Sequence, residues 1–430
     1  MLSPEDMRIP GTVQLTDADG RINVKHAGNT DVILIPTPTD DPEDPLNWTP
    51  RQKALSTFCT LSTNQAYCHM LKPRANEMHQ SLPFRAEDIG SLLRPAELLQ
   101  LRESVAAGER AQQDLTDAEN RYIKDIVRLQ QDLRFQAITD GEYRRQVYWG
   151  DFFTNLDGLQ DVTVNEQSIH ILRDYVPDFK LFTDAGAKGA KTTLCSGKIK
   201  HVRSTFVESF EYLKGLVRPE QVKNINMAMG SPHWFHFRYR PGCAYPSDVY
   251  SCDTEYYHDV AAAYQAELEA VYAVGMRNLQ IDDPTFAFDE VIDEYIALVN
   301  DCINLLPADV HVGLHLCRGN FMSRHWATGV YERIAKKIFK QAKVDTFLLE
   351  FDTDRSGGLE PLMELPSNKH LVLGLVTTKF PQLEHSDVLK RRVWEAARFM
   401  AEGSGQNEIN ALKRISLSPQ CGVRQREYWK

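Results

Sequence analysis

The sequence predicts an α/β protein built as a (β/α)8 TIM barrel with insertions, and three observations carry that expectation. From Phe84 onward, helical periodicity alternates with short apolar strands joined by short connections, which implies parallel strands. About 345 residues follow the leader, more than a small doubly wound sheet needs and enough for a barrel with insertions. The residues with unusual chemistry, Asp282, His315, Cys317, Glu350 and Cys421, lie at or just after the ends of expected strands, the edge that forms the catalytic face of a barrel.

Residues 1–80 differ from the rest and are expected to form a poorly ordered leader before a barrel over residues 81–430. Pro36-Thr-Pro38 and Asp40-Asp-Pro-Glu-Asp-Pro45 are turn and extended signals, and no sustained period of 2 or 3.6 follows them. The stretch Tyr148 to Arg218 carries weak strand signals and is expected to be the main insertion.

Beyond it the units are regular. Tyr256 to Val274 reads as a helix, with Val260, Tyr264, Leu268 and Val271 on one face and Gly275 as a stop. Arg277 to Asp282 is the strand that follows. A helix near Asp289 to Leu305 leads to the strand Val310 to His315, and a helix from Val330 to Gln341 leads to Thr346 to Glu350. Leu371 to Val376 is expected as a strand, Asp387 to Met400 as a helix and Arg414 to Leu417 as the last strand.

Composition narrows the function classes. The chain has 430 residues, 42% apolar and 25% charged, as a globular protein with a real core does. A net charge of −10 with both signs interspersed offers no basic stretch for a nucleic-acid partner. No run approaches the roughly 18 apolar residues that span a bilayer. The N-terminus shows no basic region followed by an apolar core, so a cytoplasmic location is expected. Eight scattered cysteines show no disulfide framework, and reduced thiols, most of them inert core residues, are the expectation. No glycine-rich phosphate-binding motif sits at a strand–helix junction.

His315 and Cys317 are two apart, and residues i and i+2 of an extended chain project the same way, so one imidazole and one thiolate can reach a single ion. Cys421 follows the last strand, which a closed barrel returns beside the first. One histidine and two sulfurs suit zinc, with a carboxylate to complete four-coordination. On spacing alone a structural His-x-Cys and a core cysteine remain equally open readings.

Six ordered motifs decide between them by resemblance. They are Phe84-Arg-Ala-Glu-Asp-Ile-Gly-Ser-Leu-Leu-Arg-Pro95, Thr139-Asp-Gly-Glu-Tyr-Arg-Arg145, Gln280-Ile-Asp-Asp-Pro284, His315-Leu-Cys-Arg-Gly-Asn-Phe321, Glu350-Phe-Asp-Thr-Asp-Arg-Ser356 and Ser418-Pro-Gln-Cys-Gly422. Together they make residues 84–424 resemble the catalytic barrel of cobalamin-independent methionine synthase and its shorter single-barrel relatives. The resemblance implies zinc held by His315, Cys317, Glu350 and Cys421, with Asp352 as the alternative carboxylate. It implies Ser91, Glu142 and Asp282 around the amino-acid part of a thiol substrate such as homocysteine. Trp234, in Met229-Gly-Ser-Pro-His-Trp234, falls on the side implied for the methyl donor, where an indole can stack on a flat ring.

The chemistry implied is methyl transfer to a thiol activated by zinc. Two departures concern the methyl donor. The N-terminal barrel of the full-length synthase has no counterpart here, and the proton-donating histidine of the family aligns with Lys379, which could serve as the catalytic acid. A zinc-dependent thioether lyase and a non-catalytic paralogue are the competing expectations. The segment Asp31 to Phe58 resembles the leader of fungal major-facilitator transporters, which suggests a fused or mis-joined leader and no transport function.

Overall fold

The computed structural model describes residues 12–16, 22–26, 33–35, 86–150, 152–164, 171–172, 190–286, 291–319, 330–380 and 382–423. In the leader, β1 (Thr12–Thr16), β2 (Ile22–His26) and β3 (Ile33–Ile35) pair antiparallel in that order. The rest of the transporter-like segment lies outside the described residues.

The main body then runs α1 (Ala96–Ala106), α2 (Gln112–Asp132), β4 (Asp157–Val164), β5 (Ala190–Lys200), α3 (Val207–Lys214), β6 (Asn226–Gly230), α4 (Trp234–Phe237) and α5 (Asp253–Ala273). It continues β7 (Asn278–Asp283), α6 (Ile292–Ile303), β8 (His311–Leu316), α7 (Glu332–Gln341), β9 (Thr346–Glu350), β10 (His370–Val376), α8 (Ser386–Ser404), α9 (Glu408–Leu412) and β11 (Ile415–Pro419).

Strands β6 to β11 lie side by side in sequence order and pair parallel. Two short segments close the ring. Ala86 bridges Leu417 of β11 in parallel, and Ile138 bridges Ile225, just before β6, in the same sense. Thr139 Oγ1 donates to Gly90 O at 3.0 Å and ties the two segments together. The result is a (β/α)8 barrel. The seam between the Ile138 segment and β6 is also held by Arg145, whose Nη2 donates to Ala228 O.

Apolar packing lies mostly outside the ring. Helix α5 buries Tyr256, Val260, Tyr264, Leu268 and Val271 along one face, and α7 buries Ile334, Ala335, Ile338 and Phe339. Each large side chain of this kind contributes about 1.5–3 kcal/mol on burial. Inside the barrel the apolar cluster shrinks to Ile89, Leu348 and Val372. Around it are polar side chains that satisfy one another: Asn226 Nδ2 donates to Gln280 Oε1 at 3.0 Å, and Gln280 Nε2 to Ile89 O at 2.9 Å.

The stretch expected as the main insertion contains a real sheet. β4 and β5 form an antiparallel pair, with Leu159 opposite Cys195 and Val162 opposite Thr192. Their weak signal has a physical reason: β5 reads Ala-Lys-Thr-Thr-Leu-Cys-Ser-Gly-Lys-Ile-Lys, without clean alternation. Among the described residues, no helix is long and apolar enough to cross a membrane.

Candidate active site

The carboxyl ends of three strands converge. His315 from β8, Cys317 just after it, Glu350 at the end of β9 and Cys421 after β11 each offer a ligand atom, and these atoms lie within 4.8 Å of one another. Cys317 Sγ is 3.2 Å from Cys421 Sγ and 3.7 Å from Glu350 Oε1. The backbone fixes the sulfur: Cys317 N–H donates to Asp283 O at 2.8 Å, and Gly319 N–H donates to Cys317 Sγ at 3.1 Å. At Gly374 of β10 an added Cβ would stand 2.8 Å from Gln420 Cα, so only glycine lets the chain before Cys421 approach this closely.

Each ligand candidate is oriented from behind. His315 Nδ1 meets Asp282 Oδ1 at 3.2 Å, while Nε2 is buried with no hydrogen-bond partner among the described residues. Asp282 is itself steadied by Gln280 Nε2 at 2.7 Å. Arg355 Nη2 holds Glu350 Oε2 at 3.1 Å, and Glu350 N–H donates to the Tyr331 hydroxyl at 2.9 Å. An imidazole nitrogen without a partner, two thiols and one carboxylate oxygen form a donor set that fits zinc.

The electrostatics follow from burial. Burial alone would lower the His315 imidazole, but the Asp282 hydrogen bond and the negative charges of Cys421, Asp282 and Glu350 outweigh it and raise it to about 9. The two sulfurs are in hydrogen-bond contact, and it shifts them in opposite directions. The Cys317 hydrogen bond lowers Cys421, while that same contact and burial push Cys317 well up. A cation here would displace thiol protons.

Asp352 is absent from this group of four. Its carboxylate is buried 3.9 Å from Arg355 Nη2, and burial raises it while the Lys379 charge opposes. Lys379 itself is half-buried, with Nζ enclosed and bonded to no described residue. Its charge bears on Cys317, Cys421 and Asp352.

Ser91 lies beside the cluster: its carbonyl accepts from Val423 N–H at 2.9 Å, and a Cβ on Gly422 would stand 2.7 Å from Ser91 Cβ. Glu142 sits across from it in a left-handed backbone conformation, φ 58°, that non-glycine residues seldom hold. Burial raises its carboxyl to about 7, Arg145 opposes, and Asp282 adds to the rise; Oε2 has no partner among the described residues. Trp234 is 3% exposed, enclosed by Tyr148, Trp149 and the Arg238 guanidinium.

Several residues at this site were not singled out from sequence. Tyr148 and Trp149, half-buried, form the outer part of the aromatic wall around Trp234. Behind that wall, His233 Nε2 approaches Asp283 Oδ2 at 2.7 Å, and its ring stacks on Tyr295 at 4.1 Å. The one available signal was the adjacent Tyr-Trp pair six residues after Glu142, which the expected insertion boundary at Tyr148 absorbed.

Residues 248–430 match the family described as the cobalamin-independent synthase, catalytic domain. The chain is 35% identical over 359 residues to the uncharacterised protein YxjG of Bacillus subtilis, covering 79% of this chain and 87% of that one. It is 30% identical over 364 residues to YxjH of the same organism, covering 80% and 89%. Among solved structures it resembles a candidate vitamin-B12-independent methionine synthase of Listeria monocytogenes, at 27% identity and a TM-score of 0.59, over 81% of this chain and 95% of that one. With the barrel and its strand-end cluster in place, this chain belongs to the cobalamin-independent methionine synthase catalytic-domain family.

Proposed function

We propose that this protein is a zinc-dependent methyltransferase that transfers a methyl group to a thiol such as homocysteine, with a methyl-tetrahydrofolate as a candidate donor. One observation carries the reading: four ligand atoms within 4.8 Å at the catalytic edge of the barrel, with His315 Nε2 bonded to no described residue. His315, Cys317, Glu350 and Cys421 would hold the ion. Zinc, when bound, turns a coordinating thiol into its nucleophilic thiolate at neutral pH.

The chain's own residues do the rest by position and charge. Glu142 and Asp282 present carboxylates to a substrate ammonium, and Ser91 presents a hydroxyl to its carboxylate. Neutralisation by that ammonium would favour the ionised form of Glu142, whose carboxyl is otherwise raised to about 7. Asp282 serves twice, since it also orients His315. Trp234 backs the surface on which the donor rests. Lys379 Nζ, enclosed and bonded to no described residue, would carry the proton that the departing donor takes up.

The test is metal content and product together. Zinc is measured on the purified chain, and methionine is sought by mass spectrometry after incubation with homocysteine and 5-methyltetrahydrofolate triglutamate. About one zinc per chain with methionine formed supports the reading. Absence of zinc removes it, and zinc without methionine restricts it to another donor.

A further inference from the structure

The loop between Glu142 and β4 carries a polar group that none of the roles above employs. This loop is held rigidly onto the end of β6. Arg145 Nη1 donates to Tyr148 O at 3.0 Å while its Nη2 reaches Ala228 O, and Gly150 N–H closes a turn onto Val147 O at 3.0 Å. Gly230 has no side chain to keep the loop away: an added Cβ would stand 2.8 Å from Trp149 Cβ. Tyr148 is therefore fixed edge-on to Trp149 at 5.0 Å and to Trp234 at 5.5 Å.

Its hydroxyl is fully enclosed and has no hydrogen-bond partner among the described residues. The charged groups near enough to bear on it are Asp283, Cys317, Asp282 and Arg238. Burial and the negative charges of Asp283, Cys317 and Asp282 raise this phenol well above its ordinary range, so it keeps its proton and can donate a hydrogen bond. A buried hydroxyl left unpaired costs stability, and such costs recur where a ligand supplies the missing partner.

We propose that Tyr148 is a specificity-determining residue of the methyl-donor side, its O–H donating to an acceptor atom on the edge of a planar donor laid against Trp149. The proposal rests on the methyl-transfer reading above. It defines the donor class as a flat molecule with a nitrogen or carbonyl acceptor on the edge that enters first.

The experiment uses the zinc-loaded full chain and Tyr148→Phe, which keeps the ring and removes the hydroxyl. The melting midpoint is read without ligand, and KM is read for homocysteine and for 5-methyltetrahydrofolate triglutamate as donor probe. The expected result is a midpoint equal to or above that of the wild type, a donor KM raised by about tenfold and a homocysteine KM within about twofold. A lowered midpoint overturns the proposal, because it assigns the hydroxyl to the fold; so does an unchanged donor KM. If the wild type makes no methionine from this probe, the methyl-transfer reading falls for folate donors. The melting comparison then decides Tyr148: an equal or higher midpoint keeps it as a ligand contact, and a lower one removes it.

Discussion

The two walls of the candidate site are built differently. The cluster of His315, Cys317, Glu350 and Cys421 draws on three parallel strands, and each group is held by a neighbour's backbone or side chain, as Arg355 holds Glu350 and Asp282 holds His315. The facing wall of Tyr148, Trp149 and Trp234 comes from one loop and the short α4, and is held by ring contacts and Arg145. Ligand atoms must meet within a few tenths of an ångström to share an ion, a tolerance that strands satisfy better than loops. An aromatic surface tolerates more variation, so a loop suffices. On the proposed reading, the loop-built wall can vary without disturbing the strand-built ligand cluster.

The largest effect should come from breaking the strand-built wall. Cys421→Ser is expected to reduce bound zinc, measured by plasma mass spectrometry, to less than about a tenth of the wild-type content and to abolish methyl transfer. Full metal retention in this variant would contradict the ligand set. Next in size, Arg355→Ala frees Glu350 to rotate and should weaken zinc by about 10–100-fold in a chelator competition. Asp352→Asn sharpens that comparison, because it should leave zinc in place if Glu350 is the carboxylate ligand.

Disturbing the loop-built wall should be milder and confined to the donor. Gly230→Ala places a Cβ 2.8 Å from that of Trp149 and pushes the Tyr148–Trp149 segment outward. Donor KM should rise by about tenfold while zinc content stays constant, and a parallel loss of zinc would show that the walls are not separable.

The smallest effect concerns the barrel interior beneath both. Burial pushes the Glu87 carboxyl up to about 8, with a Ser416 hydrogen bond opposing and Asp88 adding to the rise. A carboxyl raised in the folded state contributes stability that is full below its ordinary value of 4.5 and is lost as pH rises through about 8. Glu87→Gln has no proton to lose, so its melting temperature should fall less between pH 5 and pH 9 than that of the wild type. The scale is roughly 2–4 °C for each kcal/mol recovered. Parallel melting curves across that range would refute the assignment.

The C-terminal half of the barrel was legible because its signals are local. The expected helix Tyr256 to Val274 is Asp253–Ala273, and the strand Thr346 to Glu350 has those same ends. His315 and Cys317 stood out because extended chain puts i and i+2 on one side. The antiparallel pair β4–β5 did not, since Lys, Thr and Gly blur its period. Tyr148 and Trp149 read as the start of an insertion, and nothing near them in sequence indicates that Gly230, far along the chain, leaves room for them.

By itself, then, the order of residues determined which elements form, where strands end and which reactive groups stand there, because side-chain periodicity is set over a few residues. Only the tertiary structure decided that Cys317 and Cys421, 104 positions apart, lie 3.2 Å from each other. It also decided that Glu350 rather than Asp352 joins them, and that the Tyr148 hydroxyl has no hydrogen-bond partner among the described residues. Ring closure and loop docking depend on contacts between distant segments, and local pattern carries no record of those contacts.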